Sequence, residues 1–166
     1  IEKPKLVGSD TMNYWIGSKR RDLEKVLSKV DVLLVNEGEA DAIAKTTNAI
    51  AACEKILKMG PKAVVVKRGE YGFVLCTAEG YFILPAFPVA NVVDPTGAGD
   101  TFAGAFFGYL SKRDKGFDLA SIKQACVQGC LAASFTVEAF GVERLKSLTW
   151  PEVEKRQAQY HNVTHA

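Results

Sequence analysis

The chain alternates between stretches whose apolar residues recur every three or four positions and short runs that are apolar throughout. Leu23, Val26, Leu27 and Val30 fall at helical spacing, which predicts a helix over 18–30. "DVLLV" (31–35) and "AVVVK" (63–67) are unbroken apolar runs, the form of a strand covered on both faces. Between them, "GEADAIAK" opens one helix, and 48–61 reads as another, ended by Gly60 and Pro61. "KLVGS" (5–9) reads as a strand end, and "EYGFVLCT", "GYFILPAF" and "VANVVD" as shorter strands parted by glycine and proline. The last third is helical: one helix over 99–112, a longer one after the N-cap Asp118, and a final one at "TWPE". There Thr149 caps, and Glu152 three positions on completes a capping box. Past about residue 157 the pattern turns polar and fraying is expected. This alternation predicts an α/β fold with a largely parallel sheet flanked by helices. Ligands of such sheets sit at the carboxyl ends of strands, which draws attention to the turns after Val35, Val66 and Val93.

The 166 residues suffice for one domain with a real core. A net charge of +2 argues for neither a nucleic-acid groove nor a membrane-surface patch. No apolar stretch approaches the roughly 18 residues of a membrane span. The chain begins at Ile1, almost inside an apolar run, which reads as a fragment or a processed chain. Cys53, Cys76, Cys126 and Cys130 show no CxxC pairing. Cys126 and Cys130 share a helix face and could pair on a metal, but the only histidines, His161 and His165, lie in the polar tail. Core packing is therefore expected for all four thiols, in a reducing, cytoplasmic setting.

One turn changes the picture. "DPTGAGDTFAGAFFGYL" (94–110) places Gly97, Ala98 and Gly99 at the start of a helix, where unpaired amides and the helix dipole favour an anion. A dinucleotide fingerprint fails, because Phe102 stands where the third glycine belongs; a Walker A loop fails for want of its lysine. Asp100 is open to two readings. It is a carboxylate favoured by the dipole in a first helical turn, or a base that deprotonates a hydroxyl attacking phosphorus. Phe106, Phe107 and Leu110 read as core, with Ala103, Gly104 and Gly108 letting the helix approach the sheet.

The same stretch closely resembles the second signature of the ribokinase-like kinases, the phosphofructokinase B family of carbohydrate kinases. "NEGEA" (36–40) resembles that family's Asn-x-x-Glu motif, "VVVKRGEYG" its strand and glycine turn beside the nucleotide, and "AASFTVEAFG" (132–141) its helix and loop that help close the nucleotide site. The four occur in family order, so the likeness spans roughly residues 5–145. It implies a three-layer α/β/α ribokinase-like fold, with 1–166 as the C-terminal nucleotide-binding and catalytic part of a single domain. It implies an ATP-dependent kinase phosphorylating a hydroxyl of a sugar or related small molecule; the alternatives are an adenosine or other nucleoside kinase of the same family, or a non-catalytic nucleotide-binding module that keeps the fold. Asp100 would be the base, and Gly97, Ala98 and Gly99 the amides that face the transferring phosphoryl group. Asn36 and Glu39 would organise Mg²⁺ and its waters; apart from the likeness they are a polar cluster at a helix start. Gly69 and Gly72 would let the backbone pass close to ATP. Lys67 and Arg68 depart from the family, which often has an uncharged residue at the first; they would touch phosphate or form a solvated turn. Asp94 and the Thr96 carbonyl, with the loop Val137–Gly141, would hold a monovalent cation such as K⁺, or Asp94 braces its loop. Asp10 and Asn13 would face the cleft or form a turn. Family members are longer: the sugar pocket, the first glycine signature and a β lid belong to an N-terminal half absent from this sequence. The isolated piece is expected to be inactive, and a homodimer is expected of the whole enzyme.

Overall fold

The computed structural model describes residues 4–113 and 118–164. His165 of the polar tail lies outside them. The described chain folds as two compact units, the first of residues 4–69 and 73–83, the second of 70–72, 84–113 and 118–164.

In the first unit, β1 (Gly8–Asp10), β2 (Val32–Asn36) and β3 (Ala63–Lys67) run parallel, and β4 (Phe73–Thr77) returns antiparallel to β3. β5 (Gly80–Leu84) follows after two residues, and the sheet order is β1-β2-β3-β4-β5. Val32 to Val35 and Ala63 to Val66 are fully buried on both faces, as the unbroken apolar runs predict. Leu33, Val35, Val64, Val66, Val74 and Cys76 share one core with Leu23 and Leu27 of α2 (Arg20–Leu27), Ala40 and Ile43 of α3 (Glu37–Ala44), and Cys53 and Ile56 of α4 (Ala49–Leu57). Each such aliphatic side chain contributes about 1.5–3 kcal/mol by leaving water. The register ends with Asn36 opposite Lys67, so both chain turns at the carboxyl end of the parallel strands begin side by side.

Three expectations need correction here. The helix placed over 18–30 is α2 alone, preceded by α1 (Asn13–Ser18) and broken from it at Lys19. Val26, expected on its apolar face, is 46% exposed, whereas Val30 is buried beyond the helix end. "VANVVD" is not a strand: 90–94 has no ladder, and Val92 and Val93 are exposed.

The second unit is built on α5 (Ala98–Ser111) and α6 (Leu119–Thr136). Asp118 caps α6, its carboxylate accepting from the Ser121 amide at 2.8 Å. The helices approach closely at Gly129, where an added Cβ would lie 2.9 Å from the Phe102 carbonyl oxygen. Gly104 and Gly108, expected to serve the packing of α5, face open space instead. After α7 (Glu143–Ser147), which the sequence pattern did not announce, α8 runs over Trp150–Thr164 without the expected fraying at 157. Tyr160 explains the difference: its ring is buried and its hydroxyl donates to the Pro85 carbonyl at 2.6 Å. Glu152 accepts from both the amide and the hydroxyl of Thr149, so the hydroxyl serves the carboxylate rather than the helix amides. All four cysteines are buried thiols.

Candidate functional site

The sequence-nominated residues fall into one cluster in each unit. In the first, β2 ends at Asn36 and α3 starts at once. Asn36 Oδ1 accepts from the Glu39 amide at 2.8 Å, and Glu39 Oε2 accepts from the Asn36 amide at 2.9 Å. This reciprocal capping box stabilises the helix start by about 1 kcal/mol. Glu39 is 7% exposed. Burial, aided by the charge of Asp10, holds its carboxyl above the usual carboxylate range against the pull of the Asn36 amide and Lys67.

Lys67, at the last position of β3, turns its ammonium to Asp10 Oδ2 at 2.9 Å, and its side chain is largely buried. Asp10 also takes the Thr11 amide through Oδ1 at 2.8 Å. Asp10 therefore does two jobs within its own neighbourhood, while Asn13 stands exposed at the start of α1. Arg68 pairs with Glu37 Oε1 at 2.8 Å, so neither basic residue of the turn is a free solvated cation. Gly69 opens a short 3-10 turn, Gly69–Tyr71, with open space at its Cβ position. Gly72 belongs to the second unit and is confined: at φ +85°, a Cβ there would lie 2.1 Å from the Leu84 carbonyl oxygen. Sequence reasoning passed over Asp10's pairing with Lys67, because 57 residues separate them.

In the second unit the turn 94–100 is held from below and left open at its head. Asp94 Oδ1 accepts from the Thr96 amide at 3.0 Å. That bond, the Thr96 hydroxyl and the Gly141 amide keep the Asp94 carboxyl below its ordinary range. The amides of Val93 and Asp94 both donate to the Val137 carbonyl, at 2.8 and 3.3 Å. The loop Val137–Gly141 thus grips the turn from both directions.

Gly97 takes φ +81°, the left-handed conformation that lets the chain swing into α5. The Ala98 amide donates to the Pro95 carbonyl at 3.1 Å and is occupied within the turn. The amides of Gly97, Gly99 and Asp100 donate to no described residue. The Asp100 carboxylate is exposed in the first turn of α5, and no described residue pairs with it. Unpaired amides at a helix start make an anion cradle. A carboxylate left unpaired among them is unusual for a simple anion store.

Among the described residues no group of three or more His, Cys, Asp and Glu side chains could by itself hold a metal ion, and no helix is long and apolar enough to cross a membrane.

Residues 6–148 match the pfkB family of carbohydrate kinases. The chain is 39% identical over 97 residues to the cytidine kinase of Thermococcus kodakarensis, covering 57% of this chain and 34% of that one. It is 32% identical over 124 residues to the ribokinase of Staphylococcus aureus, covering 72% and 39%. A solved structure of an E. coli protein described as a ribokinase II, in complex with ATP and Mg²⁺, superposes with a TM-score of 0.71 at 29% identity, over 88% of this chain and 45% of that one. The chain therefore spans about a third of these curated relatives and about half of the solved structure. The α/β fold, with its mostly parallel sheet and flanking helices, is ribokinase-like. The matched span takes in both clusters, from Asp10 to Gly141: the chain belongs to the pfkB family of carbohydrate kinases.

Proposed function

We propose that the protein to which this chain belongs is an ATP-dependent phosphotransferase acting on a hydroxyl of a sugar or related small molecule. One observation carries the reading: three unengaged amides and one unpaired carboxylate share the first turn of α5. The amides suit the negative charge that builds on the transferring phosphoryl group. The carboxylate suits the proton that must leave as the alcohol attacks. In that step the acceptor O–H proton passes to Asp100, the alcohol oxygen bonds to the γ-phosphorus, and the bond from that phosphorus to its bridging oxygen breaks to release ADP. Gly97 and Gly99 offer their amides directly; Ala98 contributes through the turn it closes with Pro95.

Asn36 and Glu39 fit a hydrated Mg²⁺ as outer ligands. Each holds the other by a single oxygen, which leaves Glu39 Oε1 and further lone pairs for metal-bound water. Mg²⁺ would supply charge neutralisation for the phosphates. A monovalent cation such as K⁺ would take the Thr96 carbonyl, which accepts no amide among the described residues, together with Asp94. Lys67 would reach phosphate by exchanging its bond to Asp10, and Gly69 would pass beside ATP where its Cβ position is open. Gly72 serves nucleotide binding by packing the turn against 84–86.

A nucleoside acceptor is the second reading, prompted by the 39% identity over 97 residues to a cytidine kinase, although ribokinases match longer stretches at lower identity. The test is transfer of label from γ-labelled ATP, by the full polypeptide that carries this chain, to a panel of pentoses, hexoses and nucleosides. Label on a hydroxyl of one class is expected and names the acceptor. ATP binding without transfer to any of them would instead identify a non-catalytic nucleotide-binding module.

A further inference from the structure

A side-chain network outside both clusters bears on the turn 94–100. The loop Val137–Gly141 holds that turn with its main chain, through the Val137 carbonyl and the Gly141 amide. Its one acidic side chain points away into a cage of arginines. Glu138 Oε2 accepts from Arg144 Nε at 3.0 Å, and Glu138 Oε1 from Arg156 Nη2 at 2.5 Å. Arg144 comes from α7 and Arg156 from the middle of α8.

Both guanidinium groups lie over the ring of Phe135, at 5.1 and 3.5 Å from its centre, two residues before the loop begins. Arg156 also covers Phe87 at 4.8 Å and donates to Ser134 Oγ at 3.1 Å. Arg144 reaches on to Glu152 Oε1 at 2.6 Å, at the start of α8. The three charged side chains are each no more than a quarter exposed, so the pairs are only partly screened by water. A surface ion pair is worth little, but a shared carboxylate with two stacked, hydrogen-bonded arginines is a network with fixed geometry.

We propose that Glu138, clamped by Arg144 and Arg156, is a positioning residue for the turn Asp94–Asp100, so that α7 and α8 set nucleotide affinity without touching the nucleotide. The chain of contacts is continuous. Arg156 and Arg144 fix the Glu138 side chain, Glu138 fixes the loop after α6, and that loop fixes Val93 and Asp94 through the Val137 carbonyl. With the clamp gone, the loop retains its main-chain bonds but loses its anchor on the far side. The amides of Gly97 and Gly99 are then less preorganised for phosphate, and binding bears the cost of ordering them. This rests on the phosphotransfer reading, because it takes the turn as the phosphate cradle.

The test measures ATP dissociation constant, kcat and Tm in the full polypeptide for Glu138→Gln, Arg156→Met and the double variant. Glu138→Gln keeps the shape of the side chain and removes only its charge, so it decides the matter if Arg156→Met fails to fold. The expected result is a roughly 5-fold or larger loss of ATP affinity in each single variant. The double variant should lose little more than either one, because one pair is broken in all three. Turnover at saturating ATP should fall as well, because the same amides face the charge that builds on the transferring phosphoryl group. A Glu138→Gln protein that binds ATP as the wild type does, or losses that simply add in the double variant, overturns the clamp and leaves the phosphotransfer reading standing. A wild-type protein that binds no ATP removes that reading, and the clamp with it.

Discussion

The two clusters are built in opposite ways. At the end of β2, every group nominated for chemistry already has a partner: Asn36 with Glu39, Lys67 with Asp10, Arg68 with Glu37. At the start of α5, the base of the turn is bonded through Asp94 and Val137, while Gly97, Gly99 and Asp100 are left open. The first arrangement has an adequate structural purpose without any ligand. The second has a structural purpose only for its lower half. A polar group with no partner within the fold points more strongly to a ligand than a polar group with one.

The contrast is sharpest at Asp100. Asp100→Asn leaves the turn and the amides in place, so ATP affinity should persist while turnover falls roughly 10²–10⁴-fold, read by isothermal titration beside steady-state kinetics. Near-normal turnover would reduce Asp100 to a dipole-compatible residue and erase the difference between the clusters.

A next, smaller effect concerns Gly72, whose position is set by crowding. Gly72→Ala drives a methyl into the 84–86 backbone at a left-handed φ, and should cost more than about 1–3 kcal/mol in unfolding free energy, measured by urea denaturation. Gly69→Ala has open space and pays only for its φ of +57°, so it should cost about 1 kcal/mol. Equal costs would mean that 84–86 can give way.

Asn36 offers a way to break the comparison. Asn36→Ala should remove about 1 kcal/mol of helix stability. Asn36→Asp, an equally good cap, should restore stability yet change the Mg²⁺ concentration needed for half-maximal turnover. An unchanged Mg²⁺ requirement in both would leave the first cluster with its structural purpose alone.

The smallest effect is in acid. The Thr149 hydroxyl and amide, then Arg144, hold the Glu152 carboxyl down to about 2, against an ordinary value of 4.5. A depressed folded-state value stabilises above the unfolded one and is lost as pH falls through the folded one. Wild type and Glu152→Gln should therefore differ in stability above about pH 4.5 and converge toward pH 2, followed by thermal melting. A gap that does not narrow would assign the contribution of Glu152 to packing rather than charge.

How much of this was legible in the sequence depends on how local its cause is. β2, β3 and β4 are visible because fully buried strands need unbroken apolar runs, and α6 because Asp118 sits at its cap; Asn36 and Asn48 cap α3 and α4 in the same way. "VANVVD" mimics such a run, but the amides of Val93 and Asp94 go to Val137, more than 40 positions on, and no pattern within the segment announces that. The persistence of α8 past 157 likewise rests on Tyr160 reaching Pro85 across 75 positions. The glycine-rich turn and the helix start that follows it were readable because their causes, Gly97 at positive φ and the onset of α5 at Ala98, are local. The arginines that brace the neighbouring loop were not, because Arg144 and Arg156 look like ordinary surface charges until α7 and α8 are folded beside Phe135.

The four buried thiols have a practical consequence. Cys53 and Cys76 are neighbours in the first unit, and Cys126 and Cys130 lie one turn apart in the second. Burial, and for Cys76 first its neighbour Cys53, pushes Cys76, Cys126 and Cys130 up, so an alkylating reagent finds no ready thiolate until the surrounding structure opens. Each unit thus carries its own stopwatch for spontaneous opening. Mass spectrometry of peptides holding Cys76 and Cys126 during slow alkylation would time the two halves separately, in one tube, without a single mutation.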